Sequence, residues 1–155
     1  MEVQFELNGK TVRTEVEAGA LLLDVLRELG CYSVKCGCET TNCGLCTVWV
    51  DGTPRLSCSI LAAAIQGKAV TTLEGLQEEA ARFGAYLAAE GAEQCGYCSP
   101  GFIMNVLAME RELCASGHCP DREEIREYLA GNLCRCTGYA GQMRAVEKYL
   151  RERRG

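Results

Sequence analysis

Residues 36–46 read CGCETTNCGLC, four cysteines in eleven residues with glycines between them. So much sulfur in so tight a loop points to metal or redox chemistry. The spacing Cys38-x4-Cys43-x2-Cys46, followed by a distant fourth cysteine, is that of a plant-type [2Fe–2S] loop. Such a loop wraps two irons and presents thiolates to both. Gly37 and Gly44 let the backbone pass close, so that amide N–H groups can face anionic sulfur. The fourth ligand is expected from Cys58, twelve residues past Cys46 and the sole cysteine between it and Cys95. That leaves Cys36 as a spare thiol.

A second constellation follows in Cys95-x2-Cys98 and Cys134-x-Cys136. Each pair precedes an expected helix start, at Ser99-Pro100 and after Thr137. Two helix N-termini converging on one site would bring partial positive charge and free N–H groups to it, which suits a negatively charged cluster. By spacing alone, a structural zinc site with four cysteines is an equal rival.

The pattern around these motifs divides the chain in two. VQFEL at 3–7, Asn8-Gly9 and TVRTEV at 11–16 predict a β-hairpin, because Asn-Gly accepts the positive φ of a two-residue turn. A helix is expected over 20–29, and a second hairpin through CTVWV at 46–50, Asp51-Gly52 and a return over 53–58. A short helix at 59–66 and a strand at 69–73 complete an expected β-grasp domain over residues 1–74. Residues 75–155 read as helical. Leu76, Ala80, Phe83 and Leu87 share one helical face, and Ile103, Val106, Leu107 and Leu113 continue a buried stripe after Ser99. Asp121 and Glu124 form a capping-box pattern, and Met143, Val146 and Leu150 are expected inward on the last helix. The fold class is therefore α+β, a ferredoxin-like β-grasp domain followed by a helical bundle.

Composition closes off other classes. The chain has 155 residues, 48% hydrophobic and 24% charged, which is globular rather than disordered. A net charge of -5 argues against a nucleic-acid partner. The RERR run at 151–154 reads as a solvated helix end. Neither a signal peptide nor an apolar stretch of membrane-spanning length is expected, so a cytoplasmic location is. In a reducing compartment the 12 cysteines read as metal or redox groups rather than disulfides.

QCGYCSPGFIM at 94–104 and LAGNLCRCTGY at 129–139 resemble the two helical-domain signatures of the iron–sulfur subunits of molybdenum hydroxylases, the family of xanthine dehydrogenase, aldehyde oxidoreductase and aerobic carbon monoxide dehydrogenase. VKCGCETTNCGLCTVWVDG with the later Ser57-Cys58, and TLEGL at 72–76, resemble its ferredoxin signature and interdomain segment. The resemblance implies two [2Fe–2S] clusters. The outer one would be held by Cys38 and Cys43 on one iron and Cys46 and Cys58 on the other. The cluster nearer molybdenum would be held by Cys95, Cys98, Cys134 and Cys136. It further implies a large molybdopterin-binding partner subunit and a FAD-binding subunit, with Gln94 and Cys136 against the pterin. Electrons would pass from the molybdenum centre through both clusters to FAD or another acceptor, with no substrate site on this chain.

Two positions depart from the family pattern. Thr41 stands where many relatives carry glycine, so a positive φ there would bring strain. Gln142 stands where they usually carry isoleucine, which would turn a polar group toward the core unless Met143 fills that space. Cys31, Cys36, Cys114 and Cys119 have no role in the pattern and read as free or buried thiols. His118 reads as solvated, Tyr97 and Tyr139 as packing around the second site, Trp49 as core or interface, and Arg135 as a charge-offsetting or exposed side chain. Two rival functions are a free-standing ferredoxin-like carrier and a zinc-stapled interaction module.

Overall fold

The computed structural model describes residues 1–153, leaving aside the side chain of Ser116. The first half begins with strands β1 (Glu2–Leu7) and β2 (Lys10–Glu15), antiparallel and closing at Leu7↔Lys10. Asn8 (φ 51°) and Gly9 (φ 78°) supply the two positive φ angles that this turn requires. Val3, Phe5 and Leu7 alternate inward on β1. Helix α1 (Leu22–Glu28) lays Leu22, Leu23, Val25 and Leu26 against that face. The second hairpin, β3 (Thr47–Val50) and β4 (Thr53–Leu56), and a last short strand, β5 (Ala69–Thr71), complete a mixed sheet of order β2-β1-β5-β3-β4. β5 runs parallel to β1 and antiparallel to β3. The result is the β-grasp arrangement that the sequence pattern implies.

Several boundaries differ from expectation for local reasons. α1 starts at Leu22 rather than residue 20, because Ala20 and Leu21 are held extended against the segment at 60–62. The Leu22 N–H donates to the Ile60 carbonyl at 2.8 Å, and the Ala62 N–H to the Ala20 carbonyl at 2.8 Å. The same pairing limits the helix expected over 59–66 to a 3-10 turn at Ala62–Ile65. β5 stops at Thr71, because Thr72 turns in to bond the Asn8 side chain at 2.8 Å through its N–H.

The second half packs α2 (Gln77–Ala89), α3 (Ser99–Leu113), α4 (Arg122–Leu129) and α5 (Ala140–Glu152) around Phe83, Leu87, Phe102, Met104, Ile125, Val146 and Tyr149. The capping box of α4 forms as expected, with Asp121 accepting from the Glu124 N–H and Glu124 accepting from the Asp121 N–H. Pro100 sits in the first turn of α3, but Cys98 takes the cap position and the Ser99 hydroxyl donates to Glu93 instead. α5 begins at Ala140 rather than directly after Thr137. Gly138 (φ 64°) and Tyr139 (φ 68°) put a left-handed turn ahead of it. Its inward face carries Gln142, Ala145, Val146, Tyr149 and Leu150, while Met143 is only half-buried. The exchange of Gln142 for Met143 inward therefore does not occur; the glutamine itself is buried.

Trp49 joins the two halves. It lies on β3 yet packs in the helical core, where its indole N–H donates to the Met104 carbonyl at 3.0 Å. The Arg111 guanidinium lies 4.6 Å from its ring centroid. Among the described residues no helix is long and apolar enough to cross a membrane. Of the RERR run, Arg151 and Glu152 end α5 and Arg153 pairs with Glu110; Arg154 lies outside the described residues.

Candidate metal centres

The first centre is built by the segment between α1 and β3 together with the end of the β3–β4 hairpin. Asp51 (φ 50°) and Gly52 (φ 78°) turn that hairpin, and its register pairs Thr47 with Leu56. Just beyond the pair, the Ser57 hydroxyl donates to the Cys46 carbonyl at 2.9 Å, which sets Cys58 beside Cys46. Cys38, Cys43, Cys46 and Cys58 line one pocket. The N–H of Asn42 reaches the Cys38 sulfur at 3.4 Å. With those of Thr40 and Cys43 it brings the Cys38 thiol down to about 6. Burial, and then the thiols of Cys46, Cys38 and Cys43, push Cys58 up to about 12. Burial also raises Cys43.

 This thiol set has one low member and crowded neighbours, so it favours losing its protons together to a cation that neutralises it.

The backbone is cut to fit the same purpose. A Cβ on Gly37 would lie 2.6 Å from the Leu45 side chain and 3.2 Å from the Cys43 sulfur. Thr41 sits at φ 54°, the strained left-handed conformation foreseen for it, with its hydroxyl donating to the Thr40 carbonyl at 2.7 Å. Cys36 is exposed at the lip of the pocket.

The second centre gathers Cys95 and Cys98 ahead of α3 with Cys134 and Cys136 ahead of α5. The sulfurs of Cys136 and Cys95 are 3.5 Å apart. Burial and the neighbouring Cys134 thiol push Cys98 up to about 11. Burial also raises Cys134, but the Thr137 hydroxyl, 3.1 Å from its sulfur, and nearby N–H groups outweigh that and leave it below the ordinary thiol value. The Cys134 N–H donates to the Tyr139 hydroxyl at 3.0 Å, and the Gln142 amide lies 3.8 Å from the Cys98 sulfur. α3 starts directly at this site, whereas α5 is set back by its left-handed turn. Gln94, Cys95 and Cys136 are all exposed.

Comparison with known proteins finds two iron–sulfur family models along the chain. Residues 5–73 match a family model described as "2Fe-2S iron-sulfur cluster binding domain", and residues 72–147 one described as "[2Fe-2S] binding domain". The xanthine dehydrogenase iron-sulfur-binding subunit of Escherichia coli O157:H7 is 43% identical over 144 residues, covering 88% of this chain and 86% of that protein. The nicotinate dehydrogenase small FeS subunit of Eubacterium barkeri is 39% identical over 154 residues, covering 97% and 95%. A chain of quinoline 2-oxidoreductase from Pseudomonas putida 86 superimposes with a TM-score of 0.87 at 36% identity, over 100% of this chain and 97% of that one. The chain belongs to the iron–sulfur subunits of the molybdenum hydroxylases.

In this subunit the two centres share a seam of backbone. The Leu133 N–H, one residue before Cys134, donates to the Cys43 carbonyl at 2.9 Å. Asn132 is buried between the halves. Its amide donates to the carbonyls of Gly44 at 3.4 Å and Gly101 at 3.3 Å, and it accepts from Asn105 at 2.5 Å. The Tyr97 hydroxyl donates to the Cys36 carbonyl at 2.9 Å, so this tyrosine ties the loops together as well as packing beside the second one. The sequence reading missed Asn105 and Asn132. Asn132 adjoins the LCRC motif, but nothing in a spacing says how far a side chain reaches across a fold.

Three of the remaining cysteines sit in the two cores. Cys31 is buried in the first core, and Cys114 and Cys119 pack half-buried against the second. His118 is exposed and faces Glu124 at 2.9 Å.

Proposed function

We propose that Cys38, Cys43, Cys46 and Cys58 hold one [2Fe–2S] cluster in a unit spanning residues 1–74, and that Cys95, Cys98, Cys134 and Cys136 hold a second in a unit spanning 75–155. In this reading the subunit carries electrons from a large molybdopterin-binding partner toward a FAD-binding subunit or another acceptor. A bound cluster supplies one-electron transfer at each site. The chain supplies the thiolates, the N–H groups that favour anionic sulfur, and the shielding of Cys43 and Cys46 from water. The exposed Gln94 and Cys136 are where the molybdopterin of the partner would approach, with the Gln94 amide free to exchange hydrogen bonds with it.

The observation that carries this reading is the pairing of two four-thiol sites across one backbone hydrogen bond, from Leu133 to Cys43. Anaerobic purification with native copurification tests it. The expected result is four irons per chain, two distinct paramagnetic signals on reduction, and a large subunit that stays bound. A colourless protein with stoichiometric zinc would refute the cluster assignment. An isolated stable chain with both clusters and no partner would favour the carrier.

A further inference from the structure

Gln142 is the polar side chain in this fold whose burial is hardest to account for by packing. It is 3% exposed on the inward face of α5, and its Oε1 has no hydrogen-bond partner. Leaving a buried carbonyl oxygen unpaired is unfavourable, and an apolar side chain of similar length would fill the same space without that penalty. The other end of the amide is not idle: Nε2 lies 3.8 Å from the Cys98 sulfur. The opposite orientation would set a carbonyl oxygen against a thiolate, acceptor facing acceptor. The amide therefore presents its N–H to the sulfur.

We propose that Gln142 sets the reduction potential of the second centre, its side-chain N–H donating to the Cys98 sulfur. The inference rests on the reading of Cys98 as a cluster ligand. Reduction adds one electron to the centre, with no bond made or broken, and part of the added charge falls on the coordinating sulfurs. A donor aimed at one of them stabilises the reduced form more than the oxidised form, so it raises the potential of this centre relative to the first. Among the described residues, no buried side-chain amide plays the same part at Cys38 or Cys43. Their N–H contacts come from the local backbone, from Asn42 and Leu45 among others. The two centres are thus tuned by different means, and the Gln142 contribution can be removed alone.

The test uses the cluster-loaded subunit in its complex, as wild type, Gln142→Leu and Gln142→Met, in a redox titration followed by paramagnetic resonance. The signal of the second centre is identified by its survival in Cys43→Ser. Both variants are expected to keep four irons, and to move the electron about threefold toward the first centre at equilibrium, the low end of what one net hydrogen bond contributes. At 59 mV per tenfold that is a lowering of ~28 mV for the second centre and none for the first. An exchangeable-proton coupling on the second signal should disappear in both variants. Unchanged potentials with altered thermal stability would overturn the inference in favour of simple packing, as would an equal shift at both centres or loss of two irons. The ligand reading fails separately, if Cys98→Ser retains both clusters in full.

Discussion

Adding one methyl group to α3 should separate the two binding loops. Gly101 lies in the second position after the start of the helix, and a Cβ there would sit 2.4 Å from the Gly44 carbonyl oxygen and 2.9 Å from the Leu45 Cα. Both neighbours are backbone, so no side chain can rotate out of the way. Gly101→Ala gains ~1 kcal/mol of helix propensity. Against this stands overpacking of about 1–3 kcal/mol, and the fixed neighbours put it at the upper end. The net expectation is a destabilisation of ~1–2 kcal/mol, or a fall of roughly 2–8 °C in apparent melting temperature at this chain length. Gly84→Ala is the matched control: it lies inside α2, and a Cβ there would meet nothing within 4 Å. It should gain ~1 kcal/mol, a rise of roughly 2–4 °C. The assay is thermal unfolding of the loaded subunit at one scan rate, with visible absorbance reporting the loops and far-ultraviolet circular dichroism the helices. In Gly101→Ala the visible signal should be lost before the helical one. A Gly101→Ala protein as stable as Gly84→Ala would refute the close approach on which this reasoning depends.

Four further outcomes can be checked. Cys43→Ser should lower iron from four to two per chain and remove one paramagnetic signal, while Cys36→Ala should leave iron content and both signals unchanged; loss of the first signal in Cys36→Ala would exchange Cys36 for Cys38 in the ligand set. Thr41→Gly relieves a left-handed β-branched residue, worth about 1–2 kcal/mol, against about 0.5–1 kcal/mol of added chain entropy, so cluster absorbance should decay more slowly in urea. Burial raises the Glu74 carboxyl, but donors from Ser33 and Thr72 outweigh it and hold the group below its ordinary value. A depressed carboxyl contributes stability above its unfolded value of about 4.3 and loses it as pH falls through the folded value, so the urea midpoint of Glu74→Gln should lie below wild type by a constant amount from about pH 8 to about pH 5; a difference that vanishes by about pH 6 would assign the effect to another group.

Much of this architecture can be read from residue types whose local demands are strict. Asn8-Gly9 and Asp51-Gly52 ask for the turns they make, and Asp121 with Glu124 asks for its cap. The interval from Cys46 to Cys58 is legible because a two-residue hairpin has only one way to bring the chain back. What escapes such reading is set by contacts between distant segments. Met143 looks like the inward residue of α5 by periodicity, but the left-handed turn at Gly138-Tyr139 delays the helix and presents Gln142 to the core instead. Ser99 looks like a helix cap, but Glu93 claims its hydroxyl. The helix expected over 59–66 is shortened because its first residues pair with Ala20 and Leu22, some forty positions earlier in the chain.

The seam between the loops also bears on how the subunit comes into being. The carbonyls of Cys43 and Gly44 find their donors in Leu133 and Asn132, which are synthesised roughly ninety residues later. The amino-terminal half can close its sheet early, because its hairpins are local. Its cysteine loop, by contrast, acquires its last backbone partners only when the carboxy-terminal motif folds back onto it. A segment carrying Cys38, Cys43 and Cys46 without residues 132–133 would therefore lack two of the donors that hold its backbone.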